Sequence, residues 1–435
     1  MNDIMLYILL LLILLIVIVS GNDNDEWLLP MPLKSYFQGY EPPSNQEKWN
    51  KAIRAARNGD QILLKKVQDI IKSPSDLIDG DKHFRWIHRM ADILVDKVKG
   101  FEQLNDYKGY RIPIVMIGHK VFQYKSFEGD VTGAKTMGID EVLSNIKKKI
   151  LTFPKKFIAI GNMDENWGWA SSAFINRTAS WGFSFDPGLG PLKAKHTEEL
   201  LPFLDNPNLL MLVINQHHNI THPKVLTLPR GVFPLNAKYV WDTSLKVLRT
   251  NIKKQRLVTS GGSNWGSRPD ILNCVKERLG KHLFISTARL TKYKFMEMVS
   301  SSYASLALPG LGYDTFRLWE SIILGTMPVL EKGIGFDRLL YKLPVLLVDD
   351  FADVTPEMVR QAYIECLYRA DEWEYKRITQ RFWVRLLYKV SETGDSSIMT
   401  RLFPMSAMDT NFVRPMVPFD CSKGCGEGTK RTPKV

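Results

Sequence analysis

Arg317 and Glu320 stand three residues apart in the stretch LPGLGYDTFRLWESIILGTMPVL, Leu308 to Leu330. On a helix the two side chains would share one face and lean toward its N-terminal end. A guanidinium grips a diphosphate with its forked donors, and a carboxylate can accept both hydroxyls of a ribose, so the pair suits a nucleoside diphosphate. The same spacing also describes a surface ion pair with no further role. Ahead of the pair, SYASLAL reads as a buried strand, Pro309-Gly310-Leu311-Gly312-Tyr313 as a turn and Asp314 as an N-cap. Gly325 and then Pro328 end a helix of about ten residues, with Phe316, Trp319 and Ile323 expected to pack inward. The N-terminal amides and dipole of such a helix suit an anion such as a phosphate. The pattern is not the dinucleotide fingerprint, because Thr315 stands where the third glycine belongs. It is not a P-loop either, since no Gly-Lys-Ser/Thr follows.

The elements that must position this stretch are short apolar runs alternating with helices. IPIVMIG (112–118), KFIAIGN (156–162) and LLMLVIN (209–215) form one series of strands of the kind buried on both faces. QRLVTSGG, KHLFIST, SYASLAL, TMPVL and LPVLLVDD form a second, separated mostly by helical stretches such as RPDILNCVKERLG and TKYKFMEMVSS. Two such series predict an α/β protein of two doubly wound lobes with a cleft between them, and ligands at the carboxyl ends of the strands. Before them, NQEKWNKAIRAARNGDQILLKKVQDIIKS and FRWIHRMADILVDKVKGFEQL carry apolar residues at helical spacing. The expected division is a signal anchor or signal peptide (1–21), a stem and helical region (22–108), a first lobe (109–245), a second lobe (246–395) and an irregular tail (396–435).

The formal net charge of +12 suits an anionic partner, whether nucleic acid, an anionic membrane surface or a phosphate-bearing ligand. The basic runs IKKKI and NIKKQR lack interleaved aromatics and read as solvated faces. The uncharged run Ile4–Val19 is shorter than the roughly 20 residues that span a bilayer squarely, and longer than a signal-peptide core of about 7–15. Either reading sends the chain into the secretory pathway, which conflicts with a nucleic-acid binder. The sequons at Asn176 and Asn219 fit that compartment. Cys421 and Cys425 can pair in the tail, whereas Cys274 and Cys366 sit in apolar helical contexts where buried free thiols are common. The carboxylate pairs Asp23/Asp25 and Asp79/Asp81 read as a membrane-proximal flank and a turn. With no Cys or His pair at zinc spacing, no structural metal is expected.

The run SYASLALPGLGYDTFRLWESIILGTMPVL, with the later LPVLLVDDFADVT, resembles the C-terminal half of exostosin-type glycosyltransferases (glycosyltransferase family 47-like), nearest to the ribitol xylosyltransferase branch. NITHPKVLTLPRGV (219–232) is similar to a link in the first lobe of that branch. The resemblance implies a GT-B fold of two Rossmann-like lobes, with the first lobe on the acceptor side and the second holding the donor. It implies inverting transfer from a nucleoside-diphosphate sugar, such as a UDP-sugar, to a glycan or glycoprotein. Glu320 would take the donor ribose and Arg317 the diphosphate, while Gly310 and Gly312 would allow close backbone approach. Arg268 would serve as a further basic residue near the diphosphate, or else is an exposed arginine at a helix start. An inverting transferase needs a base on the first lobe. Strand-end loops offer Asp164, the first choice beside Trp167 and Trp169, then His217, with His119 and His218 as further candidates. His222 reads as part of a turn that orients the segment between lobes. No cofactor or metal is expected to be required. The residues 373–390 would form a helix crossing back to the first lobe, with a membrane-surface helix as the competing reading. The implied setting is a Golgi or ER membrane with a lumenal catalytic domain. A non-catalytic glycan-binding relative is the alternative.

Overall fold

The computed structural model of the chain describes residues 25–78, 90–95, 106–117, 155–161, 176–178, 182–184, 201–202, 204–214, 222–233, 236–261, 268–286, 290–308, 315–332 and 337–405. Two five-stranded sheets, parallel throughout, carry the architecture, which is α/β as the alternating pattern predicts. The first sheet has the order β1 (Ile93–Val95), β2 (Ile114–Ile117), β3 (Phe157–Gly161), β6 (Leu209–Ile214), β7 (Val225–Thr227). Between β3 and β6 in the chain lies an antiparallel pair, β4 (Asn176–Thr178) with β5 (Gly182–Ser184).

The second sheet is built from β8 (Arg256–Ser260), β9 (Leu283–Ile285), β10 (Ser302–Leu306), β11 (Met327–Glu331) and β12 (Leu346–Val348). Their order across the sheet is β12-β11-β10-β8-β9. The chain therefore leaves β8 for β9 on one side and returns to the other side of β8 for β10. That reversal makes the carboxyl ends of β8 and β10 a topological switch point, the place where such sheets open a crevice for a ligand. Every residue of β10 and β11 is buried, Ser302, Ser305 and Glu331 included, as strands covered on both faces require.

The structure corrects the sequence reading in two places. Ile93–Val95, inside a stretch with helical spacing, is a strand, because its pairing with Val115–Ile117 of β2 outweighs local periodicity. The other difference concerns the stem. Residues 25–78 are packed onto the second lobe. Helix α1 (Gln46–Arg57) is capped by Asn45, which accepts from the Lys48 amide at 2.9 Å, and it buries Trp49 completely. Helix α2 (Ile62–Ile70) follows. Tyr303 of β10 donates to the Ala56 carbonyl at 2.9 Å and packs against Trp27 at 4.6 Å between ring centres. The fully buried Glu365 accepts from the Ser35 hydroxyl (2.5 Å), the Tyr36 amide (2.9 Å) and Arg369 (2.8 Å).

In the second lobe α3 (Ala237–Arg249), α4 (Arg268–Leu279), α5 (Lys292–Ser300), α6 (Phe316–Ile323), α7 (Asp337–Leu340) and α8 (Pro356–Tyr368) surround the sheet, followed by α9 (Gln380–Thr393) and α10 (Ser397–Leu402). Two devices tie the lobes. Buried Arg338 on α7 donates to the Val225 carbonyl of β7 at 2.8 Å and to the Phe403 carbonyl at 2.7 Å. Helix α9 reaches the first sheet through its last turn. The Ile112 amide donates to the Ser391 carbonyl at 2.9 Å, and the Ser391 hydroxyl to the Ile112 carbonyl at 2.5 Å. The apolar face of α9 is occupied by the protein itself, with Trp383, Leu386, Leu387 and Val390 buried. Cys274 and Cys366 are both buried, as their apolar helical contexts lead one to expect. Ile4–Val19, Asp79, Asp81, Asn219, Cys421 and Cys425 lie outside the described residues; among the described residues no helix is long and apolar enough to cross a membrane.

Candidate functional site

Helix α6 starts where β10 delivers the chain, at the switch point. It is eight residues long, and its N-cap is Thr315 rather than Asp314, which lies outside the described residues. Leu318, Trp319, Ile322 and Ile323 are buried, while Phe316 is only partly so. At the other end Gly325 adopts φ +69°, and its amide donates to the Ile322 carbonyl at 3.0 Å while that of Thr326 donates to the Ser321 carbonyl at 2.9 Å. Only glycine fits there without strain: an added Cβ would stand 2.6 Å from the Leu64 backbone nitrogen of α2.

Arg317 and Glu320 do form the expected ion pair, Nη1 to Oε2 at 2.9 Å. It is not a surface pair. Glu320 is 1% exposed, and its other oxygen accepts from Asn236 Nδ2 at 2.7 Å, so both carboxylate oxygens are engaged. Asn236 immediately precedes α3 and brings the segment from β7 against α6. Along that segment the Arg230 guanidinium lies 4.7 Å from the Phe316 ring centre, and Phe233 meets the same ring edge-on at 5.0 Å. The Arg317 guanidinium stacks on Phe295 of α5 at 3.9 Å, a cation–π contact that holds it flat. Its Nη2 lies 3.9 Å from where a Cβ would project from Gly261, just past β8.

Arg268 begins α4 and donates from Nη2 to the Leu308 carbonyl at 3.4 Å, beyond the end of β10. Burial lowers its pKa, and so does the neighbouring charge of Arg317. Burial lowers that of Arg317 as well, with Glu320 opposing. Two guanidiniums thus stand at the carboxyl ends of β8 and β10, Arg268 by the Leu308 carbonyl and Arg317 by Gly261, the latter borne on a buried carboxylate. Such a pair can hold a dianionic diphosphate and spread the charge that develops on it as a leaving group. For Glu320 to accept ribose hydroxyls it would have to exchange its bond with Asn236.

Sequence reasoning brought Arg268, Arg317 and Glu320 to this place, and the structure joins them. It missed Asn236, Phe295 and Gly261, whose proximity depends on the strand order and leaves no local signal. Gly310, Gly312, Asp164 and His217 lie outside the described residues, as do His119, His218, Trp167 and Trp169. His222 is in a turn: Nδ1 accepts from the Lys224 amide at 3.2 Å, and its carbonyl accepts from the Val225 amide at 3.0 Å. Nε2 faces Asp205 at 3.4 Å, and burial holds the imidazole pKa below its usual value. Among the described residues no group of three or more His, Cys, Asp or Glu is placed to hold a metal ion.

No family model matches the sequence, and no curated protein does. Among solved structures the chain is similar to the crystal structure of an alpha,alpha-trehalose-phosphate synthase (UDP-forming) from Burkholderia vietnamiensis, at 10% identity over 84% of each chain, TM-score 0.28. It is also similar to that from Burkholderia xenovorans in complex with glucose-6-phosphate, at 9% identity over 84% of this chain and 86% of that one, TM-score 0.28. At these TM-scores the likeness carries no argument, and the site stands on its own geometry.

Proposed function

We propose that the chain is a GT-B glycosyltransferase that moves a sugar, with inversion, from a UDP-sugar to a glycan or glycoprotein acceptor in the secretory pathway. The observation that carries this reading is the placement of Arg268 and Arg317 at the switch point of the second sheet, with Glu320 buried beneath Arg317. Two parallel α/β sheets, tied through α9 and Arg338, support this reading because such a reaction needs a frame of that kind.

In the proposed reaction the acceptor hydroxyl oxygen bonds to the anomeric carbon as the bond from that carbon to the diphosphate oxygen breaks. The electron pair leaves on the diphosphate, where Arg317 and Arg268 stabilise it, and the hydroxyl proton passes to a base on the first lobe. Asp164 is the proposed base, with His217 as the other candidate. The two guanidiniums take the role a bound divalent cation fills in metal-dependent transferases, so turnover is expected to survive EDTA. Ile4–Val19 would anchor the protein in a Golgi or ER membrane with both lobes lumenal.

The test is release of UDP from a panel of UDP-sugars offered with glycan acceptors in EDTA. The reading expects turnover with one donor, and expects Asp164→Asn to abolish transfer while UDP still binds. Normal turnover in that variant would remove Asp164 from the role. Donor binding without turnover across a broad acceptor panel would favour a glycan-binding relative.

A further inference from the structure

Among the described residues threonine stands at the N-cap of four helices, and three of them behave alike. Thr291, Thr355 and Thr379 have extended backbones, with φ of −64°, −113° and −106° and ψ of 156°, 157° and 140°. Each hydroxyl accepts from the amide three residues on, that of Lys294, Met358 or Phe382. Thr315 has the same backbone, φ −101° and ψ 148°, yet its side chain makes no capping bond. The Leu318 amide that it would cap donates to the Thr315 carbonyl at 3.1 Å, a bond that at Thr379 coexists with the cap, since the Phe382 amide reaches both the carbonyl (3.2 Å) and the hydroxyl there. The Thr315 hydroxyl oxygen is buried, and among the described residues nothing bonds to it, although the residue is only 9% exposed.

A hydroxyl that could cap its helix but stays buried and unpaired calls for another partner. The amides of Phe316 and Arg317, in the first turn, likewise have no place in the helix's own ladder. All of this sits at the end of α6 where Arg317 stacks on Phe295 and Arg268 meets the Leu308 carbonyl. Resting on the proposed diphosphate site, we infer that Thr315 is a binding residue whose hydroxyl donates to a phosphate oxygen of the donor, beside the first-turn amides of α6. Ligand binding then completes the N-cap that the free protein leaves open.

Isothermal titration of the full chain with UDP and with inorganic pyrophosphate tests this, beside the melting temperature of the ligand-free protein. Thr315→Val keeps the shape and removes the hydroxyl. It should weaken both ligands about tenfold while the ligand-free melting temperature stays level or rises. Thr315→Ser should bind within about twofold of the native chain, so a loss confined to Val identifies the hydroxyl rather than the turn. Binding by Thr315→Val as tight as native, or equal weakening in Val and Ser, would overturn the assignment. Arg317→Ala separates this from the parent reading. If the native chain binds and Arg317→Ala does not, but Thr315→Val does, only the Thr315 role falls. If the native chain binds neither probe, the diphosphate site itself falls and takes Thr315 with it.

Discussion

At the scale of the residue, the site depends on a carboxylate that solvent never reaches. Glu320 is held by Arg317 on one oxygen and Asn236 on the other, so removing Arg317 strands a charge in the core while removing Asn236 costs one hydrogen bond. Arg317→Ala should lower stability by about 3 kcal/mol, whereas Arg317→Met with Glu320→Leu should recover most of that loss, because replacing both ions avoids the unpaired one. Urea unfolding of both variants measures the difference. The i,i+3 pair was legible in the sequence because helix geometry alone brings such residues together. Asn236 was not, since it arrives from 84 positions away through the packing of α3. Lys254 offers a test of a different kind. Its Nζ donates to the carbonyls of Ser302 (2.8 Å) and Ser300 (3.1 Å) deep in the core, and burial pulls its pKa from 10.5 down to about 7. Between those two values the unfolded chain holds a proton that the folded chain lacks, so stability from this group rises with pH and is smallest below about 7. The slope is at most about 1.4 kcal/mol per pH unit. Unfolding measured at pH 7 and pH 9.5 should show a smaller gain in Lys254→Met than in the native chain; equal gains would mean that Lys254 stays charged.

At the scale of the element, α6 is short and owes its place to its ends. Gly325 turns the chain with φ +69° directly against the backbone of α2, so Gly325→Ala combines backbone strain with a contact at 2.6 Å. A loss of about 2 kcal/mol or more is expected, read as a fall in melting temperature, and a neutral result would contradict the packing described. The glycine and the following proline were legible as a helix stop because glycine alone enters that conformation freely. The buried strands were legible for a related reason: β8, β10 and β11 are almost wholly covered and read as short runs that are mainly apolar or small, without a period of two. The strands of three residues carry too few positions to show a period. β1 and β7 depend on their neighbours, and β1 is enclosed by sequence that by itself spells a helix.

At the scale of the molecule, the sequence showed two α/β series but not how the N-terminal segment joins them. Residues 25–78 looked like a stem because they carry helical periodicity and no strand of the second series. Their attachment rests on distant partners, with Glu365 bonding Ser35 and Tyr36, and Tyr303 bonding Ala56, none of which local patterning can reveal. The switch point is likewise a property of strand order. It appears only once β9 is seen on one side of β8 and β10 on the other. The central claim is that this point holds a nucleoside diphosphate. Its most direct test is equilibrium titration of UDP in EDTA against the native chain and against the Arg317→Met/Glu320→Leu variant, with melting temperatures measured alongside. The account predicts one-to-one binding by the native chain, weakened at least about a hundredfold in a variant that remains folded. No binding by the native chain, or equal binding by a folded variant, would contradict it.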